Sequence, residues 1–318
     1  MAAASGCVLC VDIGGTSTKA GVVNAAGEVR CVESIPTGPN AQAFLSGLCE
    51  LIERTIDSGQ REGARVDGIG VAVAGFLDPE RDQLIYNSNL AWLEGFSLRG
   101  PLARRFQLPV ELEVDSNAAA MAEWRFGSGR GSRRFLCLTS GTGLGVGMVI
   151  EGEPLRFAYG CLGDVGHVVV QREGPLCTCG GRGCAEIMVS APAVARRFRE
   201  RAALDGEVSL RDVIMAAQSG NETARRLLWE TGEWLGIAVA SLASTFFPDH
   251  IAIAGGLSEA GDLVMGGVES TFDRHAGRFA RTQTGVARAI LGARATLIGA
   301  GWPLLPQQLR RAERNARE

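Results

Sequence analysis

The sequence predicts a two-lobed α/β protein on three observations. A strand, a Gly/Thr turn and a second strand occur at residues 8–23 and again at 135–150, as expected of one structural unit used twice. Short buried-strand runs and amphipathic helical patterns share the chain. Its 318 residues are ample for two cores of ordinary size.

In chain order, residues 7–13 form a buried-strand run that ends in Gly14-Gly15-Thr16-Ser17-Thr18, and a second strand follows at 19–23. The turn at 24–28 brings the chain back into a strand from Val29, giving an antiparallel meander. Apolar residues Phe44, Leu45, Leu48, Leu51, Ile52 and Ile56 recur at helical spacing within 41–58. Residues 68–74 read as a buried strand ending in Gly75. Residues 108–114 read as a strand entering a turn at Asp115-Ser116-Asn117, and 118–126 as a helix. The second half repeats the opening, with strands at 135–139 and 144–150 around Ser140-Gly141-Thr142-Gly143. After a Gly- and Cys-rich segment at 160–186, amphipathic helices are expected at 190–204 and 222–246. A buried strand at 250–254 runs into Gly255-Gly256, and 300–311 is expected to form a closing helix.

Composition narrows the function classes. Hydrophobic residues at 46% and charged residues at 21% exclude a disordered chain. A formal net charge of −3 gives no electrostatic reason to expect nucleic acid or an anionic membrane as partner. No apolar run approaches the ~18 residues of a membrane span, and the N-terminus lacks a basic leader. Nine cysteines, an odd number without a secretion signal, imply a reducing compartment, so a cytoplasmic protein is expected. Cys7-Val-Leu-Cys10 lies on a strand, where the two side chains take opposite faces, so packing is the expected role.

Two glycines in Asp12-Ile-Gly14-Gly15-Thr16-Ser-Thr18-Lys19 let backbone N–H groups approach an anion without interference from a Cβ, and the hydroxyls and Lys19 add donors. An acid at the strand end suits a hydrated Mg²⁺ beside phosphates. A lone Gly-Gly turn would more simply be a hairpin. The second hairpin, with Gly141, Thr142 and Gly143, changes that balance, because two such turns can grip one polyphosphate. Gly255-Gly256 is a third glycine turn, able to pass beneath a nucleotide base or ribose.

The sharpest motif is His167 followed by Cys177, Cys179 and Cys184. Three thiols and an imidazole complete a tetrahedral set for Zn²⁺, and Gly180, Gly181 and Gly183 let the loop fold back. With all four positions filled by protein, the site is expected to be structural. Acids and amides at element ends, namely Asn89, Asp115, Asn117, Asp164 and Glu186, are groups a polyol needs. Read alone, Asp115-Ser116-Asn117 is a helix N-cap, and Asp164 and Glu186 are supports for the metal.

These segments resemble the ROK family (repressor, open reading frame, kinase) of sugar kinases, within the hexokinase/actin/chaperone superfamily. The resemblance is carried by Val11-Asp-Ile-Gly-Gly-Thr-Ser-Thr-Lys19, Leu138-Thr-Ser-Gly-Thr-Gly-Leu-Gly145, Asn87-Ser-Asn-Leu90 with Trp92, Val114-Asp-Ser-Asn-Ala-Ala-Ala120, Gly163-Asp-Val-Gly-His167 and Cys177-Thr-Cys-Gly-Gly-Arg-Gly-Cys-Ala-Glu186. It implies two ribonuclease-H-like lobes with an interlobe cleft, the actin-like ATPase fold. The lobes would span 1–118 and 119–301, with a final helix at 302–318 returning to the first. It further implies Asp115 as catalytic base, sugar contacts from Asn89, Asn117, Asp164, His167 and Glu186, and ATP with Mg²⁺ at the two Gly/Thr loops. The implied activity is phosphorylation of a hexose primary hydroxyl, with glucose first and an N-acetylhexosamine second, by a homo-oligomer, a dimer.

One departure stands out. The family's usual Gly-Glu-x-Gly-His segment has Asp164 in place of Glu, a shorter carboxylate at the C1–C2 end of the sugar. Metal ligation would fix Asp164 and Glu186 together, so metal loss is expected to weaken sugar binding more than ATP binding. The rival readings are a transcriptional repressor, for which the eleven residues before Asp12 are too few to hold a helix-turn-helix, and a catalytically silent sugar sensor.

Overall fold

The computed structural model describes residues 6–38, 40–87 and 90–304. Its first unit holds a five-stranded sheet built from β1 (Gly6–Ile13), β2 (Ser17–Asn24), β3 (Val29–Pro36), β4 (Arg65–Val73) and, after a short hairpin of β5 (Phe76–Leu77) and β6 (Leu84–Tyr86), β7 (Val110–Val114). The order is β3-β2-β1-β4-β7. β1 pairs antiparallel with β2, and β2 with β3, whereas β1-β4 and β4-β7 are parallel. β1 is buried from Cys7 to Val11, as its near-continuous apolar run requires of a central strand.

Helix α1 (Ala41–Arg61) begins where Asn40 Oδ1 accepts from Ala43 N at 2.9 Å, an N-cap that satisfies one of the helix's free donors. Its Phe44, Leu48, Leu51 and Ile52 are buried in the core formed with Leu9, Val11, Ile69 and Val71. α2 (Arg99–Phe106) precedes β7, and α3 (Asp115–Phe126) follows it without a break. Residues 118–122 of α3 are buried all round, so this helix has no solvent face over that stretch.

The second sheet repeats the plan. β8 (Arg134–Ser140) and β9 (Leu144–Ile150) form the hairpin, β10 (Glu153–Pro154) is a short edge, and β11 (His250–Gly255) and β12 (Gly285–Arg288) complete the order β10-β9-β8-β11-β12. β11 runs parallel to both β8 and β12. The helices of this half are α4 (Ala185–Val189), α5 (Ala191–Arg201), α6 (Leu210–Gln218), α7 (Glu222–Phe246), α8 (Asp262–His275) and α9 (Arg278–Gln283), and α10 (Ala295–Ala300) follows. α7 and α8 approach so closely that a Cβ on Gly232 would lie 2.2 Å from Val264 O.

The chain divides into two compact units. One comprises Met1–Ala122, Glu151–Gly163 and Arg294–Glu318, the other Glu123–Ile150 and Asp164–Ala293. The division between units falls within α3, at 122/123 rather than at the expected 118/119, and the first unit also takes in residues 151–163, which the sequence reading places in the second lobe. The closing helix expected at the chain's end falls mostly beyond the described residues. α10 ends at Ala300, a short 3-10 turn at Trp302–Leu304 follows, and the expected helix beyond 304 lies outside the described residues. Pro303, which cannot continue the helical hydrogen-bond ladder, accounts for the stop. Among the described residues no helix is long and apolar enough to cross a membrane. Among the described residues no cysteine forms a disulfide, and Cys7 and Cys10 are buried in the first sheet.

Candidate active site

In the first unit the acids gather at the carboxyl ends of the parallel strands, where open α/β sheets bind ligands. Register places Asp12 of β1 beside Ala72 of β4, and Ala72 beside Glu113 of β7. Asp115 follows two residues after Glu113, as the first residue of α3. Asp12 also pairs across the hairpin with Lys19. Burial, and then the charge of Asp115, push the Asp12 carboxyl up to about 6, with Lys19 opposing. Burial raises Asp115 as well, against the hydrogen bond that its Oδ1 accepts from Ser116 N at 2.7 Å. Two mutually repelling carboxylates at a sheet end, one at a helix N-terminus, are suited to proton acceptance and cation binding.

The first Gly/Thr loop is held from β3. Gly14 N donates to Ser17 O at 3.1 Å, Thr37 N donates to Thr16 O at 3.0 Å, and Thr37 Oγ1 donates to Gly14 O at 2.7 Å. Gly15, Thr16 and Ser17 are exposed at its tip. Thr18 is fully buried, its hydroxyl 3.0 Å from that of Thr37, so it braces the loop rather than facing a ligand as expected. Thr37 escaped the sequence reading because it lies 23 residues from Gly14.

Asn117 also differs from expectation. It is fully buried, and its amide donates to Glu113 Oε1 at 2.9 Å and Gly160 O at 2.8 Å. Its Oδ1 has no partner. Glu113 is itself buried and paired with Arg156 and Arg81. Asn117 thus ties α3 to the 151–163 segment. Asn89 lies outside the described residues, while Asn87 beside it anchors its turn by accepting from Leu90 N at 3.0 Å.

The second unit brings together the metal motif and the second loop. His167 Nδ1 lies 3.5 Å from Cys177 Sγ, and Cys179 Sγ lies 3.7 Å from Cys184 Sγ. The four donor atoms of His167, Cys177, Cys179 and Cys184 all lie within 4.8 Å of one another. A tetrahedral Zn²⁺ with Zn–S of ~2.3 Å and Zn–N of ~2.0 Å sets its ligand atoms about 3.5–3.8 Å apart, so the donor set fits that ion. His167 turns its other nitrogen, Nε2, toward Asp164 Oδ1 at 3.6 Å and Glu186 Oε1 at 3.9 Å. Carboxylates there favour the tautomer that leaves Nδ1 free for a metal.

The second Gly/Thr loop joins β8 to β9, with Gly141 and Thr142 exposed. Gly141 N donates to Gly143 O at 2.9 Å, and Leu144 N donates to Glu186 Oε2 at 2.9 Å. Gly255, in register with Ser140, has φ +86°, and a Cβ there would lie 2.1 Å from Ser140 O. Gly255 and Gly256 line a pocket of about 340 Å³ with Ser258, Glu259, Arg288 and Ile290. Polar and charged groups around a glycine-floored pocket can take a base and ribose. Glu123 secures one wall, accepting from Leu291 N at 2.7 Å and Ile290 N at 3.3 Å.

Each unit carries the same sheet plan with a Gly/Thr hairpin at its β1/β2 or β8/β9 turn, and the class this defines is the actin-like ATPase fold seen in ROK sugar kinases. The chain belongs to the ROK family, whose profile matches residues 8–306. It is 32% identical over 311 residues to the glucokinase of Streptomyces coelicolor, covering 93% of this chain and 96% of that protein. A crystal structure of a ROK family glucokinase from Streptomyces griseus in complex with glucose and AMPPNP superposes with a TM-score of 0.83 at 32% identity, covering 95% of this chain and 99% of that one. The family's range is also represented, since the xylose repressor of Caldicellulosiruptor bescii is 29% identical over 273 residues, covering 82% of this chain and 68% of the repressor.

Proposed function

We propose that this protein transfers the γ-phosphoryl group of ATP to the primary hydroxyl of a hexose, with glucose as the preferred acceptor. The observation that carries this reading is that Asp12 and Asp115 lie near one another at the carboxyl ends of β1 and β7, close enough for the charge of Asp115 to raise the Asp12 carboxyl. Asp115 accepts the proton of the attacking hydroxyl, and its burial-raised pKa makes it a stronger base than a solvated carboxylate. Asp12 is the residue that would hold the Mg²⁺ accompanying the nucleotide, and Mg²⁺, when bound, would offset charge on the phosphate oxygens. Backbone N–H groups of Gly14 to Ser17 and Gly141 to Gly143 hold the phosphates, and the pocket floored by Gly255-Gly256 takes the adenosine.

Asp164, His167 and Glu186 are the sugar-hydroxyl partners in this reading. His167 serves twice, with Nδ1 toward the metal cluster and Nε2 toward the two carboxylates. The Zn²⁺ that the cluster fits is structural, since all four positions come from the chain. The similarity to glucokinases along nearly the whole chain supports glucose. Asp164, shorter than the family's usual Glu, leaves room of about one methylene, which by itself discriminates weakly between sugars.

The deciding experiment couples ADP release to a panel of glucose, mannose, N-acetylglucosamine and N-acetylmannosamine. The expected outcome is ATP- and Mg²⁺-dependent turnover with the highest kcat/KM for glucose. Absence of turnover with every hexose would remove the kinase reading.

A further inference from the structure

We propose that Glu186 is a positioning residue for the second Gly/Thr loop, and that through it the metal segment sets this protein's affinity for ATP. The proposal rests on the kinase reading, in which that loop holds phosphates.

Glu186 belongs to the first turn of α4, two residues after the ligand Cys184. Its two oxygens face different partners. Oε1 is turned toward His167 Nε2 at 3.9 Å, whereas Oε2 accepts from Leu144 N at 2.9 Å, on the residue that closes the loop. The carboxylate is pressed against the loop, for a Cβ on Gly143 would come within 2.5 Å of Oε2. Any side chain at 143 would displace it.

Three further contacts join the same two segments. Ala191 N donates to Gly141 O at 2.8 Å, and Ser140 Oγ donates to Val189 O at 3.1 Å, so the residues just after Glu186 are tied to both ends of β8's exit. The turn carrying His167 lies equally close, since a Cβ on Gly166 would lie 2.3 Å from Leu144 O. Between the ligands, Ala185 N donates to Val168 O at 2.8 Å, which clamps the two ends of the metal segment together. Fixing His167 and Cys184 in one cluster therefore fixes Glu186, and Glu186 fixes Leu144. This departs from the expectation that metal loss acts mainly on sugar binding.

The test measures ATP dissociation by calorimetry without sugar, on the full-length zinc-loaded chain. Glu186→Ala should raise Kd about ten-fold, the worth of one charge-assisted hydrogen bond. Glu186→Gln keeps an amide oxygen that can accept from Leu144 N and should recover most of that loss. Glu186→Asp withdraws the acceptor by one methylene and should resemble Ala, so it decides the matter if Glu186→Ala misfolds. Chelator-treated wild type, checked by metal analysis, should shift in the same direction as Glu186→Ala.

Unchanged ATP affinity in Glu186→Ala or Glu186→Asp, with only sugar binding weakened, overturns the proposal. So does a chelator effect that these variants do not share. Wild type that binds no ATP at all would instead remove the kinase reading, and the proposal with it.

Discussion

In the proposed mechanism Asp12 and Asp115 hold the chemistry at the scale of single residues, and burial raises the carboxyls of both. Asp12 has its carboxyl raised from 3.8 to about 6, by burial first and Asp115 second. Its folded-state pKa thus lies above the unfolded value, so its protonated form contributes stability fully below about pH 4. That contribution is lost as pH rises through about 6, and amounts to about 3 kcal/mol at most. Asp12→Asn should therefore gain in Tm over wild type as pH is taken from 4 to 7 without nucleotide. Activity should run the other way, because in the proposed mechanism it is the ionised form of Asp12 that would hold Mg²⁺. kcat/KM should fall as pH drops through about 6, with apparent values that belong to the Asp12–Asp115 pair. A Tm difference that does not grow with pH would remove the burial argument. Asp115→Asn isolates the base: kcat should fall by about 10²–10⁴ while ATP and sugar affinity stay close to wild type. Near-full turnover in that variant would leave Asp115 as only the first residue of its helix.

At the scale of elements, what the sequence made legible was local. The two hairpins, α1, α7 and the metal spacing emerged because their determinants lie within a few turns of chain. His167 to Cys184 spans a single segment, and the donor atoms converge as their spacing implied. What stayed hidden is non-local. Thr37 braces a loop 23 residues away, Glu186 a loop 42 residues away, and Arg156 pairs with Glu113 across 43 residues. Propensity carries no record of such contacts. Asn117 shows the ambiguity of a local signal, since an amide at a turn is equally suited to a sugar hydroxyl and to a buried tie, and the structure uses its Nδ2 as a buried tie. α3 offers a prediction at this scale. Glu123 is fully buried and accepts from Ser128 N, Ser128 Oγ, Ile290 N and Leu291 N. Glu123→Ala strips those donors of their acceptor and should cost about 3 kcal/mol or more in urea denaturation. It should also weaken ATP binding, because Ile290 lines the glycine-floored pocket. Loss of stability without loss of ATP affinity would detach that pocket from the nucleotide.

At the scale of the whole molecule, the first unit is closed by a segment that returns from the far end of the chain. From Arg294 the chain belongs again with residues 1–122. The return depends on bare backbone: a Cβ on Gly70 of β4 would lie 2.1 Å from Ala300 O, and one on Gly299 would lie 1.7 Å from Ala118 O. Both obstacles are backbone atoms, which cannot rotate out of the way as a side chain can. Leu297, Ile298, Ala300 and Trp302 are buried in consequence. Gly70→Ala adds one methyl where there is no room for it, so α10 or β4 must move. Overpacking of this kind typically costs about 1–3 kcal/mol. The metal segment belongs to the other unit, whose core is built from different strands and helices. Gly70→Ala should therefore lower Tm by several degrees while the folded protein keeps the wild-type metal content. A substitution in β4 that also emptied the metal cluster would mean that the two units are not stabilised separately. An unchanged Tm would mean that the contact of α10 with β4 is looser than the 2.1 Å approach requires.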